Sequence, residues 1–149
     1  MYTDPRVIAY INEEFRPVRI HVREDADAWK KTGGELGVQW TPTILVLSPE
    51  GKEQHRIEGF LPADDYLAQL GIGLAKAAFA GNDFAEAERR YRRVLETYPH
   101  SESAAEAMYW AGVSRYKASN DASALNETAR LFERRYADTS WAKKASVWK

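Results

Sequence analysis

Trp40-Thr41-Pro42-Thr43-Ile44-Leu45-Val46-Leu47 is the stretch of this 149-residue chain that decides the fold of its N-terminal part. Proline fixes its own φ and favours an extended residue before it. The four apolar residues after Thr43 lack the alternation of a half-exposed strand. The stretch therefore predicts a proline-shaped loop, Trp40 to Thr43, that enters a strand covered on both faces. The chain contains no cysteine.

Upstream of this stretch the sequence predicts a helix and then a strand. Thr3 or Asp4 is a suitable N-cap and Pro5 a suitable first-turn residue, and the helix must end before Pro17. Apolar and polar residues alternate over Val18–Val22, which predicts a strand with one buried face. A less regular helix is expected between this strand and the proline loop.

Downstream of the stretch the sequence predicts a turn, a second strand and a longer helix. Ser48-Pro49-Glu50-Gly51 has the composition of a tight turn. Lys52–Gly59 carries charged residues on both faces, as a strand at a sheet edge does. Asp64 or Asp65 can then cap a helix.

The order helix, strand, helix, strand, strand, helix resembles the thioredoxin superfamily over residues 3–70. Thr41-Pro42-Thr43 stands before the second strand and Glu58-Gly59-Phe60-Leu61-Pro62 before the last helix, as in that family. The resemblance implies a cis-proline loop that holds extended polypeptide. The candidate peptide-binding residues are therefore Trp40, Thr41, Pro42 and Thr43.

The same resemblance implies a gap in the sheet. In the family, one or two strands and a redox Cys-x-x-C pair precede the position of Asp4, and one of those strands lies between the strands matched here by Val18–Val22 and Thr43–Leu47. Unpaired backbone groups on a buried sheet edge are costly. We expect that these two strands pair directly, that a second chain fills the gap as in a homodimer through the open edge, or that the natural start lies upstream of Met1.

From about Ala63 onward the sequence predicts only helices and repeats itself. Asn82-Asp83 recurs as Asn120-Asp121 and Trp110 as Trp148, each 38 positions further on. Self-similarity at a fixed period is typical of helical repeats. Ser103-x-x-Glu106 has the pattern of a capping box that would open one of the helices.

Ala87-x-x-x-Tyr91 followed by Pro99 resembles the tetratricopeptide repeat (TPR), and the period is similar to that of longer repeats in bacterial cell-envelope proteins. The resemblance implies a surface for peptides or partner helices. Most aromatic residues here are expected to pack between helices, and one or two to contact a partner. The candidate surface residues are Tyr91, Tyr109, Trp110 and Tyr116.

These patterns give a fold class of α/β followed by all-α. Residues 1–70 are expected to form a truncated thioredoxin-like sheet with helices, and residues 71–149 TPR-like helix pairs. Acidic residues outnumber basic ones in the first part and basic residues outnumber acidic ones in the second, with a net charge of -1 overall. This change of sign also indicates two parts.

The sequence predicts no catalytic residue, metal ligand or cofactor. The three histidines, at positions 21, 55 and 100, lack metal-ligand spacing. Paired carboxylates fall near predicted helix ends, where capping explains them. A cluster of arginines alternates with glutamates at helical spacing, which favours an ion-paired surface over a nucleic-acid site. The members are Arg89, Arg90, Arg92 and Arg93 with Glu86, Glu88 and Glu96.

A thioredoxin-like part followed by TPR helices resembles the bacterial chaperedoxin type of protein, which implies binding of unfolding clients. The leading hypothesis is a redox-inactive protein-interaction module, an adaptor or a holdase, with protein or peptide clients. The alternative is the C-terminal portion of a thiol-disulfide oxidoreductase whose Cys-x-x-C lies upstream of the given start. No apolar run is long enough for a membrane span. No signal peptide begins the chain, so the expected location is cytoplasmic as written, or periplasmic if the true start lies upstream.

Overall fold

Two β-strands and seven α-helices follow one another in the computed structural model, which describes residues 2–149. This order confirms the predicted fold class, a short sheet with helices followed by helices alone. The elements are α1 (Pro5–Glu14), α2 (Ala26–Ala28), a π-helical turn (Trp29–Gly33), β1 (Thr43–Leu47), β2 (Glu53–Glu58), α3 (Ala63–Ala80), α4 (Phe84–Thr97), α5 (Ala104–Ser119), α6 (Ser123–Arg134), α7 (Ser140–Ala145) and a 3₁₀ turn (Ser146–Trp148).

Helix α1 begins as its sequence predicts. The carboxylate of Asp4 accepts a hydrogen bond from the backbone N–H of Arg6 at 2.8 Å, and Pro5 occupies the first turn. Val7 is fully buried, whereas the next apolar residue, Ile8, is 48% exposed. The buried face of α1 is therefore narrow.

The predicted strand Val18–Val22 is wrong. No strand forms there, and Val18 is 85% exposed. A turn begins instead at His21, whose backbone N–H donates to the Asp25 carboxylate at 2.7 Å and whose carbonyl accepts from the Asp25 N–H at 2.8 Å. Alternation alone does not hold a strand that has no neighbour to pair with.

β1 and β2 form a two-stranded antiparallel sheet with Thr43 opposite Glu58 and an irregularity after Val46. β2 lies at a sheet edge, as its charged faces predict. The prediction that β1 is covered on both faces is wrong, because Val46 alone is buried and Leu47 is 42% exposed. Among residues 2–149, β1 has no strand on its other edge.

Helix α3 packs against the sheet on one side and against α4 on the other. A Cβ atom at Gly73 would lie 2.8 Å from Cγ2 of Val46, and one at Gly71 would lie 2.6 Å from Cγ2 of Val94. Both glycines therefore permit close approach. The expected division between residues 70 and 71 falls inside this helix.

Two buried clusters share α3. Tyr66, Leu67 and Leu70 pack with the sheet and α1, whereas Ala68, Ile72 and Ala75 pack with α4 and α5. Successive faces of one helix thus contribute to both cores, and α3 joins the sheet to the helical repeats.

The sequence repeat corresponds to a structural one. Asn82 before α4 and Asn120 before α6 both adopt the left-handed conformation, with φ of 60° and 56°. Such a conformation is tolerated by asparagine better than by most residues.

The predicted capping box at the start of α5 is wrong. Ser103 precedes α5 but forms no side-chain capping hydrogen bond. Glu106, the expected partner in the box, instead forms an ion pair with Lys76 of α3 at 3.2 Å. The carboxylate therefore links two helices rather than closing the end of one.

Candidate peptide-binding surfaces

The proline loop is fixed between the start of β1 and the end of β2. The Thr41–Pro42 peptide bond is cis. The Thr43 hydroxyl donates to the carbonyl oxygen of Trp40 at 2.7 Å, and the Pro42 carbonyl accepts from the Gly59 N–H at 2.8 Å. These two hydrogen bonds set the shape of the loop and leave the Thr43 hydroxyl occupied.

The outer side of this loop is open. Trp40 is 67% exposed although its side chain is large and apolar. Neither the N–H nor the carbonyl of Thr41 forms a hydrogen bond with any other residue of the range 2–149. The side chain of Trp40 and the backbone groups of Thr41, which are adjacent in the sequence, are therefore both accessible.

A second exposed aromatic residue, Phe60, lies at the same end of the sheet and was not among the predicted site residues. It follows Gly59, which is bonded to Pro42, and it is 72% exposed. Its ring packs edge-on against Tyr2 at 6.3 Å. An aromatic residue in a turn between a charged strand and a helix is the signal in the sequence that could have identified it. Trp40, Thr41 and Phe60 are called the loop surface below.

The predicted aromatic residues of the helical part occupy different environments. Tyr91 is 1% exposed and belongs to the core, so very little of its side chain reaches the surface. Burial raises the pKa of Tyr91 well above its ordinary range, which keeps the hydroxyl protonated. Tyr109 is half-buried and stacks on Trp148 at 4.7 Å. Tyr116 is also half-buried.

Trp110 lies at a groove between α3, α4 and α5. The groove has a volume of about 240 Å³ and is lined by Lys76, Phe79, Ala80, Tyr91 and Trp110. The rings of Phe79 and Trp110 meet edge to face at 5.4 Å. An open, mainly apolar groove with one cation at its margin can accept an apolar side chain. It is called the helical groove below.

A hydrogen-bonded chain of polar groups connects β2 with the helical groove. Nε2 of His55 lies within hydrogen-bond distance of Oε1 of Gln69, and Nδ1 lies 3.1 Å from Nζ of Lys76. Lys76 in turn pairs with Glu106 of α5. The chain therefore links the sheet, α3 and α5 through side chains alone.

The environment of His55 favours its neutral form. Burial lowers the pKa of the imidazole below its ordinary value, and the positive charge of Lys76 acts in the same direction. The hydrogen bond with Gln69 and the carboxylates of Glu106 and Glu53 oppose this shift. A neutral imidazole is also what the geometry requires, since Lys76 can only donate.

The arginine cluster on α4 is ion-paired, as the sequence predicts. Glu86 accepts from Arg89 and from Arg90 at 2.6 Å, and Glu88 accepts from Arg92 at 2.8 Å. Such exposed pairs contribute little to stability, but they neutralise most of the positive charge.

Within residues 2–149, no group of three or more His, Asp or Glu side chains is arranged to hold a metal ion. None of the helices in that range combines the length and the apolar character that crossing a bilayer requires.

Two family models match the chain. A thioredoxin-like domain matches residues 1–72, and YfiO, described as an outer membrane lipoprotein, matches residues 52–147. No curated protein and no solved structure shows significant similarity. The matches overlap over residues 52–72, which contain β2 and the first half of α3, the elements that the two parts share. A thioredoxin-like part joined to TPR-like helices is the composition of a protein-interaction module.

Proposed function

Because the chain belongs to the YfiO family of outer membrane lipoproteins through residues 52–147 and begins with a thioredoxin-like domain, we propose that it is a redox-inactive adaptor or holdase. Its clients are extended or unfolding polypeptides. The loop surface holds the client backbone and the helical groove holds an apolar side chain. Of the two compartments that the sequence leaves open, the family's description favours the periplasm.

The observation that carries this proposal is the pairing of free backbone groups with exposed aromatic rings at the loop surface. The Thr41 N–H and carbonyl are unbonded within residues 2–149, and Trp40 and Phe60 are 67% and 72% exposed. An extended peptide can pair with free backbone groups as a short β-bridge. Aromatic side chains then add contact area at low cost in conformational entropy.

The open edge of β1 supports the same proposal. β1 pairs with β2 alone among residues 2–149, so its other edge presents backbone donors and acceptors without a strand partner. Such an edge accepts an added strand. The strand can come from a client or from a second copy of the chain, which makes a homodimer through this edge the structural alternative.

In the helical part we propose Trp110 as the residue that contacts a partner, with Phe79 beside it. Tyr109 and Tyr116 do not line the helical groove and take a secondary part. The two proposed units, residues 1–70 and 71–149, then act together, because α3 begins three residues after Phe60 of the loop surface and carries Phe79 of the helical groove.

The test is suppression of aggregation of a chemically unfolded protein, together with binding of a fluorescent extended peptide. We expect Trp40→Ala and Phe60→Ala each to weaken peptide binding about tenfold, which corresponds to about 1.4 kcal/mol. The matched control is Leu131→Ala on α6, also an exposed apolar residue at 44%, which should bind as the wild type does. Equal binding by all three variants would contradict the proposal.

The oxidoreductase alternative is favoured by one observation, the thioredoxin-like match over residues 1–72. It requires a Cys-x-x-C encoded upstream of Met1 in the natural gene. An in-frame Trp-Cys-x-x-Cys there, with insulin reduction by the longer product, would establish it. A stop codon in that position would exclude it.

Sedimentation velocity distinguishes the homodimer from a monomer that binds clients.

A further inference from the structure

A cavity of about 90 Å³ lies where α1, α3 and α4 meet, away from the loop surface and the helical groove. Gly71 of α3 creates part of this space. A Cβ atom there would lie 3.6 Å from the hydroxyl of Tyr10 and 2.6 Å from Cγ2 of Val94. The polar lining consists of Tyr10, Arg90, Arg93, Thr97 and Tyr98.

Three hydroxyl groups of this lining are unused. The hydroxyls of Tyr10, Thr97 and Tyr98 form no hydrogen bond with any group of residues 2–149. Each is a potential donor. Hydroxyl groups that line a cavity and have no protein acceptor are available to an oxygen-rich ligand.

The two arginines of the lining differ in their partners. Arg90 is held by Glu14 at 3.2 Å and by Glu86 at 2.6 Å. Arg93 pairs with no carboxylate in the part of the chain that the structure describes. Arg93, which is exposed, is therefore the arginine of the lining that a ligand can pair with.

The charge of Arg93 reaches both tyrosines. Burial raises the pKa of Tyr10 and of Tyr98, and at each hydroxyl the positive charge of Arg93 opposes that rise. At Tyr10 the charges of Glu14 and Arg90 act besides that of Arg93, and at Tyr98 those of Arg6 and Asp64 do. All three residues, Arg93, Tyr10 and Tyr98, line the cavity.

We propose that this cavity binds a single carboxylate group, with Arg93 as the ion-pair partner and the hydroxyls of Tyr10 and Tyr98 as hydrogen-bond donors. One available arginine matches a monoanion better than a phosphate dianion. A volume of about 90 Å³ leaves room for a carboxylate group.

The experiment is a titration of the full chain with sodium acetate, followed by amide chemical shifts and compared with sodium chloride at the same ionic strength. We expect acetate alone to shift the signals of α1 and of the last turns of α4. Arg93→Gln should weaken acetate binding at least tenfold, and Tyr98→Phe should weaken it several-fold. Arg92→Gln makes the same change of charge one residue away, at a side chain paired with Glu88, and should leave binding unchanged.

Two further arms identify the source of the carboxylate. If a short peptide with a free C-terminus binds more tightly than acetate and loses this gain on amidation, the ligand is the C-terminal carboxylate of a peptide. Equal binding of acetate and peptide makes it a small acid, and both outcomes support the proposal. Identical shifts with acetate and chloride, unchanged binding by Arg93→Gln, or tighter binding of inorganic phosphate would overturn it. The titration uses no unfolded client, so its outcome is independent of the holdase proposal.

Discussion

Nζ of Lys76 lies 3.1 Å from Nδ1 of His55, so an ammonium group donates to the one ring nitrogen of a neutral imidazole that can accept. The other nitrogen, Nε2, then carries the proton and donates to Gln69. If the ring took up a second proton, the positive charges of His55 and Lys76 would lie 3.1 Å apart and repel each other. The join between β2 and α3 is therefore sensitive to the protonation of a single side chain.

We predict that the free energy of unfolding decreases as the pH falls below about 6.5, the ordinary pKa of histidine. Because burial lowers the pKa of His55 in the folded state, the unfolded chain takes up the proton first. The loss of stability continues until the pH reaches the pKa of His55 in the folded state. Urea unfolding at several pH values between 5 and 8 measures this loss.

His55→Gln should flatten this pH dependence, because glutamine does not titrate. His100→Gln, at an exposed position, is the control and should retain the wild-type profile. A profile that is unchanged by His55→Gln would show that another group is responsible.

Gly112→Ala is expected to destabilise the chain by about 1–3 kcal/mol, the usual cost of inserting a methyl group into a filled core. An added Cβ would lie 2.8 Å from Cβ of Thr128, between α5 and α6. The control is Gly34→Ala, where the backbone is helical and nothing lies within 4 Å of the new atom. Thermal unfolding of both variants provides the comparison, and equal melting temperatures would contradict the packing argument.

Asn120→Val is expected to cost about 1–2 kcal/mol, whereas Asn120→Gly should be close to neutral. The reason is the left-handed backbone at this position, with φ of 56°. Asn82, its counterpart one repeat earlier with φ of 60°, should respond in the same way. Chemical denaturation of the four variants tests whether the two positions are equivalent.

Tyr136→Phe is expected to cost about 1–2 kcal/mol, because it removes one half-buried hydrogen bond to Pro99 and one exposed hydrogen bond that the hydroxyl accepts from Arg135 at 2.9 Å. The Tyr136 hydroxyl donates to the carbonyl oxygen of Pro99 at 2.6 Å and thus ties the end of α6 to the loop after α4. Tyr116→Phe removes a hydroxyl with no such bond within residues 2–149 and should leave stability unchanged. A loss of the same size in both variants would assign the effect to something other than this contact.

Local signals in the sequence predicted the elements that depend on neighbouring residues. Asp4 and Pro5 mark the start of α1 because a cap and a first-turn proline act within one turn. The charged faces of β2 identified an edge strand for a similar reason. Both features are properties of a few adjacent side chains.

Features that depend on distant partners were not predictable in the same way. Val18–Val22 has the alternation of a strand, but no neighbouring strand is there to pair with it. Glu106 fits a capping box, yet Lys76 of another helix takes its carboxylate. The helical groove and the cavity between α1, α3 and α4 likewise arise where three helices meet, and no single segment encodes them.

The continuity of α3 sets a length scale for any client. Its 18 residues extend about 27 Å, and Phe60 lies just before its first turn while Phe79 of the helical groove lies in its last. An extended polypeptide advances about 3.3 Å per residue. Under the proposed function, a client that touches both surfaces at once would expose an unfolded segment of about eight residues, because the length of α3 sets the distance that the client must cover.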